Sequence, residues 1–301
     1  MPIVISKDIP AYSALQHENI FVMSDERAFT QDIRPLEIAI LNLMPTKVET
    51  ETQFMRLLSN SPLQVNVTLV YTESYKSKNT AAAHLERFYK KFDDIKDKHF
   101  DGMIITGAPV ETMPFEEVAY WRELTKIFDF ADRNVTSTIY ICWGAQAALY
   151  YHYGVRKHLL PTKLFGIFPH AVDPERHEPL FKGMDDVFFM PHSRHTAVDM
   201  EDVRRTEDLI VLSETEATGL SIAKSKDNKK IFLTGHMEYD RDTLKKEYER
   251  DVAKGLPIRP PYNYFTDDTH TRVRVTWSGA ANLFYTNWLN YYVYQVTPFR
   301  F

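Results

Sequence analysis

Between residues 37 and 142, four short, nearly unbroken apolar runs alternate with three amphipathic segments of helical period. No other feature narrows the available folds as far. The runs are Glu37 to Met44, Val65 to Thr72, Gly102 to Thr106 and Ser137 to Cys142. Short runs that stay apolar on both faces read as strands of a covered, parallel sheet. Between them, Val48 to Asn60 carries Phe54, Leu57 and Leu58 on one face. Ala81 to Phe92 carries Leu85, Phe88 and Tyr89, and Phe115 to Ala131 carries Val118, Leu124, Ile127 and Phe128. Those spacings fit helices with one buried stripe. The expected class is therefore α/β, with βαβ units building a mostly parallel sheet and helices on both faces.

The second half has a different texture. Val187 to Met190, Leu209 to Ser213, Gly219 to Lys224 and Ile231 to Thr234 follow one another without long helices, which points to antiparallel pairing. The charged stretch from 224 to 230 reads as a hairpin turn around Asp227 and Asn228. Helices are expected again over Arg241 to Ala253 and Ser278 to Tyr292, the latter with Leu283, Phe284, Trp288 and Tyr291 as a core stripe. The proline-rich stretch from Lys254 to Arg272 reads as a loop packed down through its aromatics. The first 35 residues hold no evident sheet strand. They read as an arm before a core of 36–301, the whole forming a single catalytic domain, which 301 residues permit.

Charge excludes some partners. Thirty-six basic and 41 acidic residues give a net charge of −5, with no long block of either sign, so a nucleic-acid surface is not expected. The lone cysteine, Cys142, cannot form an intramolecular disulfide, and the N-terminal residues show no basic stretch followed by a long apolar one. Both point to the cytoplasm. The longest apolar runs fall short of the roughly 18 residues a membrane span needs.

The chemistry centres on residues 136–154. A β-branched run ends at Cys142, and Gly144, Ala145, Gln146, Ala147 and Ala148 then open a helical pattern. Strand, sharp turn and helix with a nucleophile at the apex is the geometry of a nucleophile elbow, which needs small neighbours because the backbone crowds itself. The helix N-terminus adds partial positive charge, which favours a thiolate. A thiol nucleophile needs a base, and the base an orienting group. His236 and Glu238 follow a strand and Gly235, and in an extended segment they would face the same side. The loop after the third run offers the amides of Gly107 and Ala108, which with that of Trp143 would form an oxyanion hole. His192 and His195 also follow an apolar run, but no third ligand cluster stands near them, so no metal site is read there.

These segments, together with residues 42–53, 106–109, 118–121 and 190–196, make the chain resemble the homoserine O-acyltransferases of methionine biosynthesis over essentially its whole length. The resemblance implies a class I glutamine amidotransferase-like (flavodoxin-like) fold and a homodimer. It implies acyl transfer from coenzyme A to the γ-hydroxyl of L-homoserine by a ping-pong route, with Cys142 as nucleophile, His236 as base and Glu238 as its partner. It maps substrate contacts onto Lys163 and Ser193 and a grip on the homoserine carboxylate onto Arg250. No cofactor is implied beyond the acyl-CoA co-substrate. Lys47 falls in a family segment, where it either binds substrate or begins a helix. In the family, glycine after the TGAP loop accompanies succinyl transfer and glutamate acetyl transfer; this chain has Glu111, which implies acetyl-CoA. A carboxylate there would repel the free carboxylate of a succinyl group and spare a methyl group. The alternatives are the succinyl-CoA enzyme, a glutaminase of the amidotransferase type, and a non-catalytic regulator on the same fold.

Overall fold

The four apolar runs lie side by side at the centre of one sheet. The computed structural model describes residues 3–18, 20, 22–24, 34–74 and 81–298. In chain order the first half holds β1 (Ile3–Val4), α1 (Pro10–His17), β2 (Val22–Met23), β3 (Leu36–Leu41), α2 (Lys47–Ser59), β4 (Val65–Tyr71), α3 (Ala82–Phe88), β5 (Tyr89–Lys91), β6 (Phe100–Ile105), α4 (Trp121–Asn134), β7 (Val135–Ile141) and α5 (Trp143–Tyr153). There follow β8 (Lys157–Ala171), β9 (Val187–Val198), α6 (Met200–Arg205), β10 (Leu209–Thr215), β11 (Gly219–Ser225), β12 (Lys230–Leu233), α7 (Thr243–Ala253) and α8 (Ser278–Asn287).

The ten-stranded sheet runs β10-β11-β12-β7-β6-β3-β4-β1-β2, with β5 also paired to β4. From β12 to β2 the neighbours are parallel, and β10, β11 and β12 are antiparallel. Alternate residues of the central strands feed two cores. Ile38, Ile40, Ile104, Ile139 and Ile141 pack with Phe54 of α2 and Phe284 of α8. Ala39, Leu41, Met103, Ile105 and Tyr140 pack with Leu124 of α4 and Leu149 of α5 on the opposite face. That division, imposed by the period of two along a strand, is why these runs have no polar side. No helix among the described residues is long and apolar enough to cross a membrane.

Four expectations change. The first 35 residues do carry sheet strands: β1 and β2 extend the parallel sheet beyond β4, but each has two residues and leaves no periodicity to read. The expected helix from Phe115 begins with a 3-10 turn, Phe115–Glu117, and becomes α-helical only at Trp121. The expected helix over 81–92 stops at Phe88, and Tyr89–Lys91 pairs with β4. At the C-terminus α8 widens into a π-helix, Trp288–Tyr294, so the buried stripe is Ala281, Phe284, Tyr285, Trp288, Leu289 and Tyr292, while Leu283 is exposed.

A long hairpin, β8 against β9, stands apart as a two-stranded sheet. It meets α7 and the 254–277 segment through a third core of Phe165, Ile167, Tyr239, Leu244, Tyr264 and Trp277. The proline-rich loop is thus anchored by buried Tyr264, while Tyr262 stays 57% exposed. Asn228, at φ +63°, turns the β11–β12 hairpin where the sequence placed it.

Candidate active site

Parallel pairing of β6 with β7 and of β7 with β12 sets three strand ends in a row. The loops beyond the carboxyl ends of such strands are where open α/β sheets hold ligands. Here they carry Gly107, Cys142 and His236. Cys142 is buried at φ +50°, ψ −115°, between the end of β7 and the first residue of α5. A non-glycine residue in that region is strained, and the strain is held by main-chain bonds from Cys142 N–H to the Leu233 carbonyl (2.7 Å) and from Gln146 N–H to the Cys142 carbonyl (3.1 Å). The elbow predicted from sequence is present.

Its tightness explains the small residues around it. A Cβ on Gly144 would lie 2.6 Å from the Thr106 carbonyl oxygen, and one on Gly107 3.2 Å from the Cys142 Cβ and 3.7 Å from His236 Cε1. Gly144→Ala must therefore displace backbone. It is expected to lower stability by about 1–3 kcal/mol, the usual cost of overpacking, and to lower thiol reactivity with it, as thermal unfolding and iodoacetamide labelling would report. An unchanged melting temperature would mean that the loop yields freely.

His236 and Glu238 lie in a turn rather than the extended segment expected, yet His236 Nδ1 meets Glu238 Oε1 at 2.7 Å. That bond commits Nδ1 and leaves Nε2 for the Cys142 thiol, which lies within electrostatic reach of the ring. Burial opposes charge on the ring, but the Cys142 and Glu238 charges and hydrogen bonds outweigh it and hold the His236 pKa well above the ordinary histidine range. Tyr239 stacks on the ring at 4.1 Å, and His236 N–H is anchored on the Pro191 carbonyl of β9 at 2.8 Å. Trp143 opens α5, so its amide has no helical acceptor and is available to an oxyanion.

Beside the triad lies a charged cluster. Lys163 Nζ is 3.1 Å from Asp251 and 3.6 Å from Glu247. The Ser193 hydroxyl donates to Glu247 at 2.5 Å and the Tyr239 hydroxyl to its other oxygen at 2.8 Å. Arg250 reaches Asp251 through Nε (2.8 Å) and Nη2 (2.7 Å). Lys163, Ser193 and Arg250 are therefore brought together, and Glu247 and Asp251 are the members that sequence reasoning missed. A signal existed: Leu244, Glu247 and Asp251 share one face of α7, and Leu244 and Asp251 are buried. An inward stripe that turns from apolar to acidic marks a charged pocket.

Other residues fall elsewhere. Lys47 is buried and donates to the Asn42 carbonyl at 2.5 Å; burial lowers its pKa to about 8. His192 is sealed against His170, 3.2 Å between their Nε2 atoms, whereas His195 is exposed, so the two do not form one site. Among the described residues no group of His, Cys, Asp or Glu is placed to hold a metal ion. Glu111 sits four residues past Gly107, and its Oε2 accepts the His195 main-chain N–H at 2.8 Å. The buried guanidinium of Arg194 lies within electrostatic reach of both Cys142 and Glu111.

Comparison with known proteins gives the family and the fold. A family profile described as homoserine O-succinyltransferase matches residues 2–299. The chain is 58% identical over 301 residues to a homoserine O-acetyltransferase from Geobacillus sp. (strain WCH70), covering 100% of this chain and 99% of that one. It is 56% identical to a homoserine O-acetyltransferase from Lachnoclostridium phytofermentans, with 100% of both chains covered. A glutamine amidotransferase from Thermotoga maritima shares the fold, with a TM-score of 0.50 at 11% identity over 85% of this chain and 97% of that chain.

Proposed function

The chain belongs to the homoserine O-succinyltransferase family, whose profile spans it almost end to end, and from that premise we propose that it transfers acetyl from acetyl-CoA to the γ-hydroxyl of L-homoserine. The observation that carries the chemistry is the strained Cys142 beside an imidazole that Glu238 orients and on which the thiol acts electrostatically. His236 takes the thiol proton, and the thiolate adds to the thioester carbonyl of acetyl-CoA. The amides of Trp143, Gly107 and Ala108 receive the oxyanion. Collapse expels the coenzyme A thiolate, which leaves with the proton held by His236, and acetyl remains on sulfur. Homoserine then gives its γ-hydroxyl proton to His236 and attacks the acyl carbon. Cys142 thiolate departs and O-acetyl-L-homoserine forms.

The charged cluster suits the acceptor. Asp251 occupies the Nε and Nη2 nitrogens of Arg250, whose side chain is half exposed, so the Nη1 edge remains for a substrate carboxylate. Glu247, already receiving two hydroxyls beside Lys163, offers a carboxylate to the α-ammonium group. Tyr239 ties the two halves together, stacking on His236 and donating to Glu247, so acceptor binding and the base share one support. Glu111 selects the donor: its carboxylate would repel the second carboxylate of succinyl-CoA. A cytoplasmic homodimer needing no cofactor completes the reading.

The test is incubation of the purified protein with L-homoserine and either acetyl-CoA or succinyl-CoA, followed by mass measurement of small-molecule product and protein. Acetyl transfer with an acetylated enzyme intermediate is expected. Preference for succinyl-CoA would overturn the donor assignment, and glutamine hydrolysis without homoserine acylation would overturn the function.

A further inference from the structure

The β8–β9 hairpin grips Glu111 from two sides. From β9, the His195 N–H holds the carboxylate at 2.8 Å and the Thr196 hydroxyl stands 3.4 Å from the same oxygen. That hydroxyl has one hydrogen, and the Gln146 side-chain oxygen is the nearer acceptor at 2.8 Å, so the main-chain donor is the firmer hold. From the first residue of β8, the Lys157 ammonium donates to the carbonyl of Glu111 itself and, at 2.7 Å, to that of Met113. Lys157 pairs with Val198 and Leu159 with Thr196 across the hairpin, so both grips come from the same pair of strands.

Lys157 is not an ordinary surface lysine. Its Nζ lies 4.3 Å from the centre of the Phe115 ring, and Phe115 in turn stacks on Tyr150 of the nucleophile helix at 4.8 Å. Burial lowers its pKa to about 8, as befits an ammonium drawn partly out of water. Its ammonium is bonded to two carbonyls of the 110–114 turn, and the Glu111 and Glu116 carboxylates act on it electrostatically without forming an ion pair with it among the described residues. Without those two bonds the Glu111 main chain keeps only what the turn itself provides, the Met113 N–H to Val110 carbonyl bond at 3.1 Å, and the hold on the carboxylate has a looser backbone behind it.

We infer that Lys157 is a positioning residue for acyl-donor selection: by fixing the Glu111 turn it keeps the carboxylate where a succinyl group would meet it. This rests on reading Glu111 as the donor selector. Lys157 makes its contacts to the turn and to Phe115 rather than to the thiol, so its removal is read in the ratio of donors, which a loss of fold stability alone would not move.

The experiment measures kcat/KM for acetyl-CoA and succinyl-CoA in the wild-type enzyme and in Lys157→Met, Lys157→Arg and Glu111→Gly. Lys157→Met, which keeps the apolar stem on Phe115, is expected to lower the acetyl-to-succinyl ratio about tenfold, the scale of one charge-assisted hydrogen bond. Lys157→Arg, which restores charge and donors, is expected to hold the ratio within about threefold. If Lys157→Met does not fold, Lys157→Gln is read by the same criterion. A Lys157→Met ratio within twofold of wild type, alongside a Glu111→Gly enzyme that has shifted to succinyl-CoA, overturns the positioning role and leaves the selector standing. A Glu111→Gly enzyme with an unshifted ratio overturns the selector, and the positioning role falls with it.

Discussion

Cys142→Ala is expected to lower acetyl transfer by about four orders of magnitude or more and to abolish the acetyl-enzyme. The route has two half-reactions, and both need the same sulfur, first as nucleophile and then as leaving group. Removal of a covalent nucleophile costs on that scale in enzymes whose residual rate comes from the oxyanion site and binding alone. Nothing nearby can stand in: Ser193 has its proton committed to Glu247, and Thr106 donates to the Gly107 carbonyl. Because the chain has a single cysteine, mass spectrometry of intact protein assigns any acetyl thioester to this residue without ambiguity. Cys142→Ser should recover little, since a hydroxyl gives up its proton far less readily than a thiol and is the weaker nucleophile. Retention of activity within tenfold in Cys142→Ala would show that homoserine attacks acetyl-CoA directly, with His236 as base and no covalent stage.

Both the elbow and the parallel core were legible because their causes are local. A strand buried on both faces must be apolar throughout, and an elbow must be small where its backbone crosses itself, as Gly144 is against Thr106. The place of His236 beside the elbow was legible through chemistry rather than pattern: a thiol nucleophile calls for an imidazole, and Gly235-His236 follows a strand. What stayed hidden depends on distant partners. Strand β8 contains Pro161 and Pro169 and steps out of register between Leu159 and Leu164, so it shows neither alternation nor an unbroken apolar run. Its importance comes only from what it reaches, Glu111 through Lys157 and the acidic cluster through Lys163. Likewise, nothing in the residues around Arg250 says that Asp251, not solvent, holds its guanidinium. Strands β1 and β2 have two residues each and owe their existence to the edge they extend.

Glu111→Gly is expected to turn the enzyme from acetyl-CoA to succinyl-CoA, with a change of about a hundredfold or more in the ratio of kcat/KM values. Repulsion between two carboxylates in a partly desolvated pocket costs several kcal/mol, and each 1.4 kcal/mol is a factor of ten. Relief of repulsion is half of the effect. Once the Glu111 carboxylate is gone, the His195 N–H loses its acceptor and the buried Arg194 loses one of the two negative partners within its reach. A donor left without its acceptor and a buried cation left with less counter-charge are both costly, and the free carboxylate of a succinyl group has the charge to satisfy both. Acetyl offers nothing there, so its kcat/KM should fall modestly while that for succinyl-CoA rises. The two effects separate in a second variant: Glu111→Gln removes the charge but keeps the bulk and an acceptor for His195. It should admit succinyl-CoA far less well than Glu111→Gly does. If instead Glu111→Gln switches donors as fully as the glycine variant, charge alone selects and the space vacated by the side chain is irrelevant. If neither variant accepts succinyl-CoA, selection lies outside residue 111.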